Sequence, residues 1–416
     1  MRKIIALLAL PLAASAVHAQ EASSGPSFKF SGYGTAAVTW TDEDKAEYGR
    51  PNQVRGVKQH PGVGVDSNLG LQADVQVADW LSFTAQALVR KDAEDRFNGE
   101  LGWAFAKLRL SDGVSVRAGR VGLPIFMISE YRNVGYANTL LRPPAEVYSQ
   151  VPFNSIDGMD VSWQHNVGET TVSTQFAYGQ VKSPIASGPH VDGKEIMALQ
   201  VVAEHGPLTL RAGHAIMKLN ISDSVSLNAL MASLRAAGAG YRQPGMIRMA
   251  DELQAKDKRG TFDSLGAALD WNNLVGQSEV TRRRTDTYIN DTTSWYVMLG
   301  YRFGKFLPYA SHASLKIDGY VQSAIPAACP AGYPAACTPT MRQLAAGAAR
   351  VPYSGPGQGA QTTHTIGVRW DLYQSLALKA QIDRVKPTAG TGLLLGVQPG
   401  FVGPVTVGAV ALDFVF

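Results

Sequence analysis

Apolar and polar residues alternate with a period of two along most of the chain, which predicts about sixteen β-strands. In Asn68–Val77 the odd positions are apolar and the even positions are mostly polar. In Leu208–Ile216 the even positions are apolar, and His214 is the exception. The predicted strands cover 28–41, 63–77, 81–90, 100–110, 114–121, 156–165, 170–181, 195–204, 207–218, 261–272, 275–284, 294–302, 307–317, 362–371, 376–386 and 404–416. Alternating segments of about ten residues between turns are typical of outer-membrane barrels.

The connections between these strands are alternately short and long. The short ones are 78–80, 111–113, 166–169, 205–207, 272–274, 303–306 and 372–375, and the long ones are 42–62, 91–99, 122–155, 182–194, 219–260, 285–293, 318–361 and 387–403. An up-and-down barrel with both termini in the periplasm requires tight turns on one side and long loops on the other. A soluble β-sandwich has no reason to sort its loops in this way.

The first and last strands are predicted to pair and to close the barrel. Apolar residues of one parity occur at Phe28, Phe30, Val38 and Trp40 and again at Val410, Leu412, Phe414 and Phe416. A chain that ends within a strand needs a partner for that strand, because an unpaired edge exposes its peptide groups. Closure is also the only way in which a β structure spans a bilayer. The predicted fold class is therefore all-β, a transmembrane antiparallel barrel of about 16 strands.

The N-terminus predicts export. Residues 1–19 have a basic start at Arg2 and Lys3, an apolar stretch at 4–14 and a small-residue cleavage site at Val17-His-Ala19, as in a secretory signal peptide. A membrane anchor is the alternative, but the apolar run is too short to cross ~30 Å of hydrocarbon. We expect residues 20–416 to form the barrel of the bacterial outer membrane. The formal charge of +4 falls to +2 without Arg2 and Lys3, which is too weak to suggest nucleic acid.

Two further features bear on sites and loops. Cys329 and Cys337 lie in a loop rich in proline, alanine and glycine, where a disulfide is favoured over two free thiols or a metal site. The histidines have no metal-ligand spacing, and we expect no cofactor. In the 219–260 loop, apolar residues from Val225 to Leu234 share one helical face, and a second helical stretch covers 247–255. This loop either caps the barrel mouth, which is favoured, or forms a gate or surface contact.

The 122–155 loop carries the candidate functional residues. It is too apolar to lie solvated outside a cell, so we expect it to fold inwards against the barrel wall. Folded in this way it would narrow the channel that a barrel of this size otherwise leaves open. It would present fixed charges there, which select solutes by field and size. The candidate constriction residues are Arg117, Arg120, Glu130, Arg132, Arg142 and Glu146, with Tyr131 and Tyr136 as candidate sugar or aromatic contacts.

The same region resembles a known family. The segments Ala118-Gly-Arg-Val-Gly-Leu-Pro-Ile-Phe126, Ser129-Glu-Tyr-Arg-Asn-Val-Gly-Tyr-Ala137 and Arg142-Pro-Pro-Ala-Glu-Val-Tyr148 are similar to Gram-negative porins, distant relatives of the phosphate-selective and dicarboxylate-type porins. The resemblance implies a homotrimer of 16-stranded barrels, each with its third long loop folded into the pore. Phosphate-selective members line the pore with many cations, whereas this loop has no lysine and two acidic groups.

Together these features predict a porin, not an enzyme, through which small hydrophilic solutes and ions diffuse passively with a mild anion preference. A barrel enzyme of the protease or phospholipase type is one alternative, but the sequence has no recognisable acid/base or Ser-His constellation. A plugged structural or adhesin barrel is the other, and the long loops 219–260 and 318–361 are its only support.

Overall fold

A computed structural model describes residues 26–185, 189–222, 224–329, 332–333, 337–351 and 359–416. The predicted signal peptide, 1–19, lies outside these residues. Sixteen strands form one closed sheet in which every strand is antiparallel to both of its neighbours. The predicted fold class is confirmed.

The strands follow the predicted order. They are β1 Ser27–Thr41, β2 Asn68–Ala78, β3 Leu81–Lys91, β4 Phe97–Arg109, β5 Val114–Gly122, β6 Ser155–Val167, β7 Thr170–Pro184, β8 His190–His205, β9 Leu208–Ser222, β10 Lys258–Trp271, β11 Leu274–Thr285, β12 Asp291–Tyr301, β13 Phe306–Gly319, β14 Gln361–Tyr373, β15 Leu376–Pro387 and β16 Val405–Val415. The largest differences from the predicted bounds are at the starts of β2 and β8. The short connections join strands at the end where both termini lie, which is the periplasmic end of an outer-membrane barrel.

The barrel closes where β1 meets β16, in a register that runs from Tyr33↔Val415 to Thr41↔Val407. The outer surface of this seam contains glycines covered by aromatic rings from the partner strand. A Cβ atom at Gly34 would lie 2.4 Å from the ring of Phe414, so only glycine leaves room for that ring. Covering a strand glycine with a cross-strand aromatic ring is a known way to stabilise and register such pairs.

Alternation along each strand separates an outer apolar surface from the barrel interior. Trp80, Trp163 and Trp271 are exposed and lie at or near short turns, as expected for an aromatic girdle at the membrane surface. Trp103 is an exception, because it pairs with the buried Gln86 and lines an internal cavity.

The helices lie in the long loops. They are a 3₁₀ turn at Gly135–Ala137 and the α-helices α1 Ala145–Tyr148, α2 Val225–Gly240, α3 Pro244–Glu252 and α4 Cys337–Ala348. Helices α2, α3 and α4 share one apolar cluster, which includes Leu234, Met246 and Met341. The sequence predicted helix in the regions of α2 and α3 but not at α4. Among the described residues, no helix is long and apolar enough to cross a membrane.

Candidate pore constriction

The 122–155 loop packs against the inner wall of the barrel. Its apolar side chains share a buried cluster with inward-facing residues of the strands. The loop contributes Leu123, Ile125, Phe126, Leu140 and Val147, and the wall contributes Phe262, Tyr296, Met298, Tyr309 and Ala313. Burying apolar surface gains roughly 25 cal/mol per Å², which gives a physical reason for the loop to leave the solvent.

Hydrogen bonds attach the loop to the barrel wall at several levels between the extracellular and periplasmic ends. Near its start, the Met127 N–H donates to Oε1 of Glu279 on β11 at 2.9 Å. Further along, the Leu141 N–H donates to Oε1 of Gln381 on β15 at 3.0 Å. The Tyr136 hydroxyl donates to the carbonyl of Gln374 at 2.5 Å, in a periplasmic turn. The loop therefore enters at the extracellular end and reaches the periplasmic end, and Tyr136 serves to attach it.

A buried lysine holds the deepest part of the loop. Lys379 on β15 is fully buried and forms an ion pair with Asp413 on β16, with 2.9 Å between Nζ and Oδ2. Its Nζ also donates to the carbonyls of Gly135, Asn138 and Leu140 at 2.8, 2.6 and 3.1 Å. These contacts satisfy an ammonium group that would be costly to bury alone, and they lock the 135–140 segment to the wall.

Arg142 does not line the open lumen, contrary to the sequence prediction, because the loop buries it against the wall. Its side chain is 3% exposed and lies between two carboxylates, 3.1 Å from Asp66 and 3.4 Å from Asp383. Burial opposes the charge of Arg142, but Asp66, Tyr48 and Asp383 more than offset it and raise its pKa. Arg142 therefore joins the loop to β15 and to the 42–67 loop.

Glu146 is also buried and does not face the lumen, contrary to the prediction that it lines the constriction. It lies on α1, where it accepts hydrogen bonds from Gln361 Nε2 at 2.7 Å and from the Thr363 hydroxyl, both on β14. Burial raises the pKa of Glu146, although these donors partly offset the effect. Its role in the structure is to attach α1 to the wall.

Arg117 and Glu130 come together as the sequence predicted. Arg117 on β5 forms an ion pair with the buried Asp160 at 2.7 Å and with Glu130 of the loop at 3.2 Å. The side chain of Glu130 is 54% exposed, so it borders the aqueous space that the loop leaves open. Tyr131, the next residue, is 38% exposed.

Arg120 is out of step with Arg117 along β5, yet it lines one cavity with Glu130, so the structure brings it near a charge of the loop. It pairs with Asp157 on β6, and Arg120 Nε lies 2.7 Å from Asp157 Oδ1. Beyond the Ala104↔Arg120 pair, the described residues of β4 form no further pairs with β5. The guanidinium reaches into this gap and donates to the Leu101 carbonyl at 3.3 Å.

Arg132 belongs to a group of cations that come from separate parts of the sequence. Its guanidinium lies over the Phe126 ring, 5.6 Å from the centroid. It lines a small cavity with Arg50, Arg90 and Lys91, and we call these four residues the cation cluster. Burial, together with the nearby Arg90 and Arg50, lowers the pKa of Arg132 to about 9, so the side chain stays charged at neutral pH.

Two members of the cation cluster also face a second cavity next to the loop. Arg90 and Lys91 also line a larger cavity of about 220 Å³ that includes Glu130. The sequence does contain evidence that Arg90 faces inward. On β3 it has the same parity as Thr84 and Gln86, whose side chains face the barrel interior. Arg50 lies in the irregular 42–67 loop, where no periodic pattern could locate it.

Cys329 and Cys337 are joined by a disulfide with 5.6 Å between their Cα atoms, and Cys337 begins α4. Among the described residues, no group of three or more histidine, cysteine, aspartate or glutamate side chains is arranged to hold a metal ion.

The fold is shared with solved outer-membrane structures at low sequence identity. OmpF of Salmonella typhi, in complex with daunomycin, is 12% identical with a TM-score of 0.52, covering 94% of this chain and 98% of that chain. The outer-membrane channel DcaP of Acinetobacter baumannii is 9% identical with a TM-score of 0.51, covering 95% and 99%. OmpT of Vibrio cholerae is 10% identical with a TM-score of 0.51, covering 95% and 99%. At these identities the likeness concerns the fold alone.

The closed barrel, its sorted turns and its outer apolar surface define an outer-membrane β-barrel. The profile of the Gram-negative porin family matches residues 6–319, and the chain therefore belongs to that family. No curated protein matches the sequence significantly. The protein is a porin of the bacterial outer membrane.

Proposed function

We propose that this porin is a passive diffusion channel for small hydrophilic solutes and ions, with a mild preference for anions and without catalytic activity. The observation that carries the proposal is the packing of the 122–155 loop on the inner wall. A loop held there by Lys379, Arg142 and Glu146 narrows the lumen. Solutes then pass on the side where Glu130 and the cation cluster remain accessible.

The anion preference rests on the balance of fixed charge beside this passage. The cavity around Arg132 is lined by the four residues of the cation cluster and by a single carboxylate, Asp66. Asp66 is already engaged by Arg142 and Arg50. Positive charge in excess near a narrow point raises the local concentration of anions and favours their passage. Arg90 and Lys91 are paired with Glu100 and Asp95, and Asp92, Glu130 and Asp157 also line the larger cavity, so the preference should be mild.

Three further parts of the proposal follow from family membership and sequence. The channel is expected to work as a homotrimer and to be related to the phosphate-selective and dicarboxylate-type porins. The absence of lysine from the loop disfavours phosphate specificity. Residues 1–19 are expected to be removed on export, so the mature protein should begin at Gln20, which N-terminal sequencing of the outer-membrane form would establish.

Swelling of liposomes that contain the purified protein tests passive diffusion directly. We expect sugars and small carboxylates to enter at rates that fall steeply with solute size and do not saturate at low concentration. Protein-free liposomes and liposomes with heat-denatured protein are the controls. Absence of swelling with folded, inserted protein would favour a plugged barrel, and turnover of a peptide or phospholipid substrate would favour a barrel enzyme.

A further inference from the structure

One cavity inside the barrel is mostly apolar, which is unusual for the lumen of a channel that carries water. It has a volume of about 310 Å³ and lies on the extracellular side of the 122–155 loop. Its walls include Leu123 and Ile125 of that loop and Ile196, Ala215, Met217 and Phe262 of β8, β9 and β10. We call this space the apolar vestibule. Porin interiors are normally polar, so inward-facing isoleucine, methionine and phenylalanine need a separate explanation.

The charges around the apolar vestibule all have one sign. Among the described residues that line it, the titratable ones are Arg50, Arg283 and Arg284, with no aspartate or glutamate. Arg283 is held at the wall, because its two terminal nitrogens donate to the carbonyls of Gln150 and Asn290 at 2.9 and 3.0 Å. Arg50 also borders the cation cluster cavity, so it links the vestibule to the passage beside the loop.

We propose that the apolar vestibule is a binding site for a small amphipathic carboxylate, one with an apolar body and a single negative charge. The body would lie against Ile196, Ala215 and Phe262, where a sugar would lose hydration without gaining hydrogen bonds. The carboxylate would point toward Arg50, which already pairs with Asp66 through Nη1 at 3.2 Å, since a guanidinium group has further N–H donors for a second carboxylate. The volume lies within the range of small-molecule sites, roughly 300–1,000 Å³.

This inference rests on the proposed channel function, because it names the solute class that the channel concentrates at its mouth. A carboxylate released from Arg50 would meet the cation cluster next. The site therefore lies on the path of an anion that enters from outside the cell. A purely hydrophilic anion would use the passage without being retained in the vestibule.

Blockade of single-channel current by 4-phenylbutyrate added to the extracellular side tests the site. Two comparison compounds are used. Acetate has the negative charge without the apolar body, and benzyl alcohol has an aromatic body without the charge. We expect 4-phenylbutyrate to block at a concentration at least tenfold lower than either comparison compound. Equal potency of all three compounds would overturn the proposal.

Variants separate binding in the vestibule from general effects. Ala215→Phe, and independently Val191→Phe, should fill the space and raise the half-blocking concentration of 4-phenylbutyrate about tenfold. Arg50→Gln should weaken the block by 4-phenylbutyrate without changing that by benzyl alcohol. Arg384→Gln, which removes a cation at the extracellular rim of the barrel, is the matched control. We expect it to leave the half-blocking concentration unchanged. Unchanged block in both filling variants would show that the compound does not bind there.

Calorimetric titration of the detergent-solubilised protein with 4-phenylbutyrate distinguishes failure of this inference from failure of the proposed function. Binding that Ala215→Phe abolishes, in a protein that conducts no ions, would retain the site and reject the channel. Normal conductance without binding would retain the channel and reject the site.

Discussion

At the residue scale, the ion pairs of this protein include buried ones that hold the loop and exposed ones elsewhere on the barrel and its loops. Arg142 lies between Asp66 and Asp383, and all three side chains are almost fully buried. Arg384 and Asp42 form an exposed pair at 3.3 Å, with about half of each side chain accessible. The buried charges depend on their partners, because an unpaired charge in the interior is costly.

Replacement of Arg142 by methionine should therefore destabilise the folded barrel strongly. It leaves two carboxylates without their common cation, for which we expect a loss of roughly 3–5 kcal/mol. Arg384→Met, the exposed counterpart, should cost about 1 kcal/mol or less. Urea titrations of the protein folded into lipid vesicles would give both values. Equal losses in the two variants would contradict the assignment of Arg142 as a buried anchor.

The effect of Arg142→Met should also depend on pH. Burial raises the pKa of Asp66, but Arg142 and Arg50 more than offset this and lower it below its usual 3.8. A lowered folded pKa contributes stability that is present above pH 3.8 and is lost as pH falls through the lowered value. Without Arg142, burial dominates and protonation of Asp66 becomes favourable. The defect measured by urea titration should therefore be smaller at pH 4 than at pH 7, and a defect that grows on acidification would contradict this account.

Arg132 should influence transport more than stability. It is half-buried, lies in the cation cluster and forms no ion pair within the described part of the chain. Arg132→Gln should shift the reversal potential under a KCl gradient toward cation preference, because it removes a fixed positive charge beside the passage. Arg235→Gln, which removes a charge from the exposed face of α2, is the control and should leave the potential unchanged. Equal potentials for Arg132→Gln and wild type would exclude Arg132 from the filter.

At the element scale, the position of the 122–155 loop depends on a close approach at its deepest point. A Cβ atom at Gly135 would lie 2.1 Å from Oδ1 of Asp413 and 2.4 Å from Oγ1 of Thr35. No atom lies within 4 Å of the corresponding position at Gly240. The loop can therefore keep its place on β1 and β16 only if residue 135 has no side chain.

Gly135→Ala should displace the deepest part of the loop from the wall. We expect noisier single-channel currents and faster proteolysis of the loop in the folded protein, because the contacts from Lys379 are strained. Gly240→Ala, the matched control on α2, should behave as wild type. Identical current noise and cleavage rates in the two variants would indicate that the loop is not held where the Gly135 contacts place it.

The elements could be predicted from the sequence to very different degrees. Strand alternation is local, so the sequence predicts β3 and β15 to within one residue of their ends, and the alternation of short and long connections predicts the topology. The partners of Arg142 and Glu146 could not be predicted in the same way. Asp66, Asp383 and Gln361 lie in distant segments, and only the closed barrel brings them to one side of the loop. A charged residue in a loop has the same sequence pattern whether its side chain is exposed or buried. The sequence therefore predicts Arg142 and Glu146 in the lumen.

At the scale of the whole molecule, the barrel is a rigid wall and the loop packed inside it divides the interior. One side is filled by apolar packing around Phe126 and Tyr296. The other side keeps Glu130 and the cation cluster accessible. Under the proposed function, this asymmetry would give the constriction a fixed charge pattern, since contacts with the wall hold the loop along its length. Selectivity should therefore be a property of the resting structure and should require no conformational change.

Single-channel current in a planar bilayer, with the reversal potential measured under a KCl gradient, tests this account most directly. We predict stable current steps, grouped in threes for a trimer, and a reversal potential of the sign that indicates mild anion preference. A silent bilayer with protein shown to be inserted would contradict the open channel. Stable steps with clear cation preference would contradict the role assigned to the cation cluster.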